Sequence, residues 1–127
     1  MPLADSLLQP MGASPSDVAV FDASVLSDMF GDEKSVISAV LETFVSSMAG
    51  SMEELQAAIG EQDWAAAAGL AHRVKGAARM SGALALGLAA LGLERHARAG
   101  EVMATLAAAS ELELQWLRVR DHLASRP

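Results

Sequence analysis

The chain contains no cysteine among its 127 residues. That removes disulfides, thiolate zinc sites and cysteine nucleophiles together, and it fits a reducing compartment. Tyrosine is absent as well, and aromatic residues make up only 4% of the chain. Sheets favour β-branched and aromatic side chains, so this scarcity argues against a β fold. Positive charge is also short, with nine Lys and Arg against sixteen Asp and Glu and a net charge of −7. A chain of that sign suits a phosphate backbone poorly, and no nucleic-acid partner is expected. No run approaches the ~18 uninterrupted apolar residues of a membrane span. The first residues, Met1 to Asp5, lack the positive region and long apolar run of a signal peptide. Direct membrane insertion is therefore not expected, and the chain reads as cytoplasmic.

What is abundant is alanine and leucine, within a composition that is 52% hydrophobic. These are strong helix formers, and the length suits one domain with a single core. Residues 1–20 hold Pro2, Pro10, Gly12 and Pro15 and read as a mobile leader or linker, with room for one helical turn around Leu7 and Leu8. The domain proper is placed at residues 21–124. Asp22 is a plausible N-cap for a short helix that runs to Phe30 and stops at Gly31. Asp32 then opens a long helix to about Ile59, with Gly60 as its stop. Its stripe is Val36, Val40, Phe44, Met48, Leu55 and Ile59, with Ile37, Leu41 and Met52 beside it.

Asp63 caps the next helix, and Gly82 closes it in a left-handed conformation. Ala83 to Ala99 forms another, with a seam of Leu84, Leu88 and Leu91 and Gly100 at its end. The last helix runs from Val102 to Leu123 through Leu106, Ala109, Leu112, Trp116 and Val119. The fold class that buries these stripes most simply is all-α, an antiparallel four-helix bundle with a short additional N-terminal helix.

One stretch departs from this plain helical composition. Ala71-His72-Arg73-Val74-Lys75-Gly76-Ala77 places a histidine, cations and a glycine within two helical turns. At about 100° per residue, Ala67, Leu70, Ala71, Val74, Ala78 and Ser81 fall on one side, and His72 points roughly 160° from Val74. His72 therefore faces outward. Gly69 at i−3 and Gly76 at i+4 flank it, with Ala65 and Ala68 completing the surround. Each mid-helix glycine costs ~0.8–1.0 kcal/mol relative to alanine, so a purely structural surface would carry Glu, Lys or Gln there. Lys75 at i+3 and Arg79 at i+7 add positive charge beside the ring. A nucleophilic nitrogen, cleared space and nearby cations fit a group that carries a phosphoryl anion.

Other chemistries fit less well. His96 and His122 sit near helix ends, where a cation suits the helix dipole and no reaction is implied. The Glu-x-x-His pattern of bundle di-metal sites is missing, because the i−3 positions of the three histidines hold Gly69, Leu93 and Val119. No metal site is expected. Met29, Met48, Met52 and Met103 read as core filler, while Met80 points outward near Gly69 and suits a docking patch. A protein-interaction module that binds a receiver or kinase without phosphotransfer is thus the second reading. A general-base enzyme is a third, but no paired acid, serine or second histidine is placed near His72 and no nucleotide-binding loop is present.

The central stretch, followed by Gly82-Ala83, resembles the signature of the histidine phosphotransfer (HPt) domain family, commonly Ala-His-x-Leu-Lys-Gly-Ser with a later glycine. The wider layout is similar too. Phe21-Asp22 and Gly31-Asp32 precede the long helix, Asp63 caps the active helix, and Leu93-Glu94 with Ala97-Arg98-Ala99-Gly100 closes the next. The likeness covers roughly Phe21 to Leu123. Val74 stands in for the commoner leucine, and Ala77 for a frequent serine, which removes a hydroxyl contact.

The resemblance implies a phosphorelay carrier without kinase activity of its own. His72 would accept a phosphoryl group from a receiver-domain aspartate and pass it to another receiver. Lys75 would offset the phosphoryl charge, and Gly69 and Gly76 would leave room for the partner. Glu94 would either accept the second imidazole N–H or pair with Arg98 at i+4. Arg79 would touch the phosphoryl group or an acidic partner, or remain a solvated charge. The implied partners are response-regulator receiver domains and a hybrid sensor histidine kinase, of which this chain could be a module. No bound cofactor is implied, since Mg²⁺ would arrive with the receiver, and a monomer is expected.

Overall fold

A computed structural model describes residues 14, 15 and 18–125, and among these the chain forms five α-helices and no strand. They are α1 (Ala23–Phe30), α2 (Lys34–Gly60), α3 (Trp64–Ser81), α4 (Leu84–Arg98) and α5 (Val102–Ala124). Most of the expected leader, including the turn around Leu7 and Leu8, lies outside the described residues. The chain is already tied down before α1 begins. Ala85 donates its N–H to the Ala19 carbonyl at 3.0 Å, and Asp22 donates to the Gly82 carbonyl at 2.7 Å.

Side-chain caps set two of the helix starts. The Asp22 carboxylate accepts the Ser24 N–H at 3.0 Å, and Asp63 accepts from Ala66 N–H at 3.1 Å, each satisfying an orphan donor of the first turn. α3 ends as expected at Gly82, which has φ 93°. Ala83 N–H reaches back to the Ala78 carbonyl at 2.9 Å and Gly82 N–H to Arg79 at 3.3 Å, which is a Schellman closure. Gly100, at φ 72°, follows α4.

The ends of α2 differ from the expectation. Asp32 does not cap it; the helix starts at Lys34 with Glu33 in the cap position and no side-chain cap bond. Gly31, with φ 73°, and Asp32 form the chain reversal, so the first helical bond is Ile37 N–H to the Glu33 carbonyl. Gly60 is not the stop either. It stays helical, and the left-handed turn falls on Gln62 at φ 58°, whose successor Asp63 donates back to the Ala58 carbonyl at 2.9 Å.

The core joins Phe44, Met48 and Leu55 of α2, Ala67, Ala71, Val74 and Ala78 of α3, Leu86, Ala90 and Leu93 of α4, and Leu112, Trp116 and Val119 of α5. α4 packs most extensively, against α3 on one side and α5 on the other, and α2 closes on α3. The expected seam of Leu84, Leu88 and Leu91 is only half-buried; Leu86, Ala89, Ala90, Leu93 and Ala97 are buried in its place. α4 is apolar almost all round and meets two neighbours, so periodicity alone could not choose its inner face.

The α2 stripe is likewise shifted, to Leu41, Phe44, Met48, Met52, Leu55 and Ala58. Val36 is exposed, and Val40 and Ile59 are half-buried. At ~1.5 Å per residue α2 is ~40 Å long against ~27 Å for α3, so part of its length extends past the helix it packs on. α2 is also long and apolar enough, at a mean hydropathy of 1.2, to cross a bilayer by length and composition. Its Phe44, Met48 and Leu55 nevertheless form one wall of the core. In α5, Leu106 is exposed, whereas Thr105 and Gln115 are buried. Thr105 satisfies its hydroxyl on the Glu101 carbonyl at 2.7 Å, and Gln115 donates to Glu111 at 3.1 Å. Of the methionines read as core filler, Met48 and Met52 are buried, but Met29 and Met103 are exposed.

Candidate functional site

His72 lies on the outer side of α3, as its spacing from Val74 requires, with 60% of its side chain exposed. The flanking Ala71 and Val74 are buried, which anchors the helix face opposite the ring. A Cβ added at Gly69 or Gly76 would meet nothing within 4 Å, so both glycines leave open space beside the imidazole. Ala65 shares this exposed surround. Ala68 does not; it is buried, because α3 packs against both α2 and α4 and its inner arc is wider than half the helix.

The carboxylate of Glu94, on α4, sits behind the ring and is only 9% exposed. Its Oε2 lies 2.9 Å from His72 Nδ1, and its Oε1 accepts from Lys75 Nζ at 2.8 Å. Arg98, one turn further along α4, donates to Oε2 from Nη2 at 2.9 Å and from Nε at 3.2 Å. The imidazole contact and the Arg98 pair, set against each other as alternatives in the sequence, therefore coexist. An ionised carboxylate can only accept hydrogen bonds, so Nδ1 must carry the proton. In the neutral ring, the lone pair then resides on Nε2.

The hydrogen bond from Lys75 is the main reason the Glu94 carboxyl is held down to about 2 from the usual 4.5. Burial pushes the other way, and the bonds from His72 and Arg98 add to the lowering. A carboxyl lowered in the folded state contributes stability that is complete above about pH 4.5 and is lost as pH falls through about 2. Relative to Glu94→Gln, the wild-type chain is thus expected to lose on the order of 2 kcal/mol across that window, less than the full linkage because Arg98 reaches water. Urea midpoints of the two proteins should converge at the acid end. A gap that stays constant from pH 5 to about 2 would contradict an ionised Glu94.

Lys75 is only 15% exposed, and its ammonium is turned to Glu94. The Lys75 ammonium and the His72 ring thus meet on the same carboxylate, one on each oxygen. Arg79 is exposed, with its stem over α4, where a Cβ on Gly87 would come within 3.3 Å of Arg79 Cγ. No ion pair to Arg79 is present among the described residues. Met80, 63% exposed, lies on the same helix two turns beyond His72. The other histidines stand apart from this cluster. His96 Nδ1 pairs with Glu101 at 2.7 Å across the α4–α5 turn, and the His122 ring lies 5.6 Å from that of Phe21. Arg73 pairs with Glu54 of α2 at 3.1 Å on the surface.

An outward imidazole on a bare helix face, held from behind by a buried carboxylate, has the form of a nucleophile prepared for an external partner. The family model of the Hpt domain matches residues 39–122, well over half of the chain. The chain belongs to the Hpt domain family. Among curated proteins and among solved structures, no match is found. The match spans α2 from its sixth residue, all of α3 and α4, and most of α5, and so includes every member of the His72 cluster. Hpt domains are phosphocarrier modules of phosphorelay signalling, not kinases, and this domain serves histidine phosphotransfer in a two-component pathway.

Sequence reasoning missed Arg98 as a member of the site in its own right. Its signal is a Glu and an Arg at i and i+4 on one helix, a spacing that by itself suggests a surface pair and not a shared carboxylate.

Proposed function

We propose that His72 is the residue of this Hpt domain that carries the phosphoryl group, accepted from a receiver-domain aspartate and passed to a second receiver. The observation that carries this reading is the Nδ1 contact to Glu94 at 2.9 Å, which leaves Nε2 as the nucleophilic nitrogen on a face cleared by Gly69 and Gly76. The Nε2 lone pair attacks phosphorus, the bond from phosphorus to the aspartyl oxygen breaks, and its electron pair returns to the aspartate carboxylate. The Nδ1 proton stays against Glu94, which stabilises the positive charge that develops on the ring. Transfer to the second receiver reverses these bonds, and no water is consumed.

Lys75 and Arg98 keep Glu94 ionised, and Arg79 and Met80 extend the face toward the partner. The Mg²⁺ that assists phosphoryl transfer belongs to the receiver. A pure interaction module would have no use for an ionised carboxylate buried behind an exposed ring. The domain is read as residues 21–124, cytoplasmic and monomeric, working with receivers and a hybrid sensor histidine kinase. α2 to α5 are read as the antiparallel four-helix bundle, supported by the two- and three-residue turns between them, with α1 against one end.

The test is incubation with phosphorylated receiver domains, which is expected to place an acid-labile, base-stable phosphate on this chain. Failure to take label from every receiver of the source genome, or labelling by ATP alone, would overturn the carrier reading. Gly76→Ala provides a sharper check on the cleared face. The added methyl meets no neighbour, so it should stabilise α3 by up to about 1 kcal/mol while slowing transfer several-fold. Thermal unfolding and transfer rates measured on the same variant should thus move in opposite senses. Equal transfer rates would remove the glycine from partner docking.

A further inference from the structure

We infer that Arg98 is a positioning residue for phosphotransfer, one that fixes the orientation of the His72 ring through Glu94; the inference rests on the carrier reading of His72. It stands on the way the donors divide between the two oxygens of one carboxylate. Lys75 alone occupies Oε1, at 2.8 Å. Oε2 receives three N–H groups, one from His72 Nδ1 at 2.9 Å and two from Arg98 at 2.9 and 3.2 Å. A carboxylate offers about four acceptor sites, two on each oxygen, so the donors crowd onto Oε2 while Oε1 keeps one site open.

The two cations constrain Glu94 differently. The last side-chain torsion of a glutamate is broad, so the plane of its carboxylate is free unless something holds it. An ammonium is a compact charge with rotatable donors, and Lys75 leaves the plane free to swing about the oxygen it grips. The guanidinium is a rigid planar fork, and its two N–H groups on Oε2 determine where that oxygen points. The Nδ1 proton of His72 follows Oε2. If Oε2 drifts or is taken by water, the proton can settle on Nε2, which then has no lone pair with which to attack phosphorus.

The charged groups facing the ring are few. Glu94 and Arg98 come from α4, and Lys75 from α3. Arg73 is turned away to Glu54 of α2, and Arg79 lies about two turns along α3. α5 sends no ionisable group into the cluster among the described residues. Arg98 itself is 59% exposed and bonded one turn back on its own helix. The Glu94 end of the pair is buried, at 9% exposure, so losing Arg98 costs some stability, and its effect on the chemistry is read separately, in the tautomer of the His72 ring.

The experiment compares Arg98→Ala, Arg98→Lys and wild-type full chains. Ring ¹⁵N spectra at about pH 8.5, well above the ordinary imidazole range, report which nitrogen of His72 bears the proton. In Arg98→Ala the share of the Nε2-protonated tautomer is expected to rise clearly, with transfer from a phosphorylated receiver falling about tenfold at a temperature where both chains are fully folded. Arg98→Lys, which keeps the charge without the fork, should restore only part of either.

A wild-type tautomer ratio in Arg98→Ala overturns the inference even if the rate falls, since a lost docking charge would also slow transfer. A shifted ratio with an unchanged rate overturns it as well, as does full rescue by lysine. The spectra need neither receiver nor phosphate. A wild-type chain that takes no label would therefore defeat the carrier reading, while the ring spectra would still decide whether Arg98 orients His72.

Discussion

His72→Gln is expected to lose all measurable phosphate label while melting at nearly the wild-type temperature. Glutamine approximates the size of the imidazole and can still donate an N–H toward Glu94, so the buried carboxylate is not left short of a donor. What it lacks is a nucleophile, because the amide nitrogen lone pair is delocalised into its carbonyl. The 60% exposure of the His72 side chain means that little packing is lost. A surface change of this kind stays within about 0.5 kcal/mol. His96→Gln and His122→Gln should label as wild type, since their rings engage Glu101 and Phe21 and not Glu94. Label that persists on the His72 variant would sink the assignment.

Gly82→Ala should produce the largest loss of stability of any alanine substitution at the described glycines. Gly82 holds φ 93°, where an L side chain costs ~1–2 kcal/mol. The new Cβ would also run into the Asp22 carbonyl oxygen and would lie 3.4 Å from Val25 Cβ. That carbonyl cannot simply move. Asp22 donates its own N–H to the Gly82 carbonyl at 2.7 Å, and its oxygen accepts the Val25 N–H at 3.3 Å. One residue thus ends α3 and also seats α1. Adding ~1–3 kcal/mol for the forced displacement gives a total of about 3 kcal/mol, or a fall of roughly 10 °C in melting temperature for a domain of this size. A thermal melt within about 2 °C of wild type would show that α1 shifts at little cost. Because Gly82 is on the turn and not on the His72 face, the variant should still accept phosphate at temperatures where it remains folded.

The difference between what could and could not be read in the sequence is visible helix by helix. α3 was legible because its apolar residues occupy one arc and its ends carry explicit signals, an Asp63 cap and a left-handed Gly82. α4 was not, because leucine and alanine surround it and its inner face depends on two neighbours. The stop of α2 was misplaced for a similar reason. Gly60 is the residue whose type favours a left-handed turn, yet the geometry of the connection to Asp63 places that turn on Gln62. Thr105 and Gln115 are polar, and nothing local marks them as buried.

The placement of His72 follows from the order of residues along α3. One helical period relates it to Val74, Gly69 and Gly76, so its outward direction and bare surround follow from local geometry alone. The cluster behind it is another matter. Lys75 and His72 meet Glu94 across separations of 19 and 22 residues, from a different helix. Only the packing of α3 on α4 could bring one carboxylate within reach of both and of Arg98. Spacing within a helix is fixed by its 3.6-residue period, whereas the register between two helices is set by their side chains interlocking. That register decided that Glu94 serves the imidazole and both cations at once.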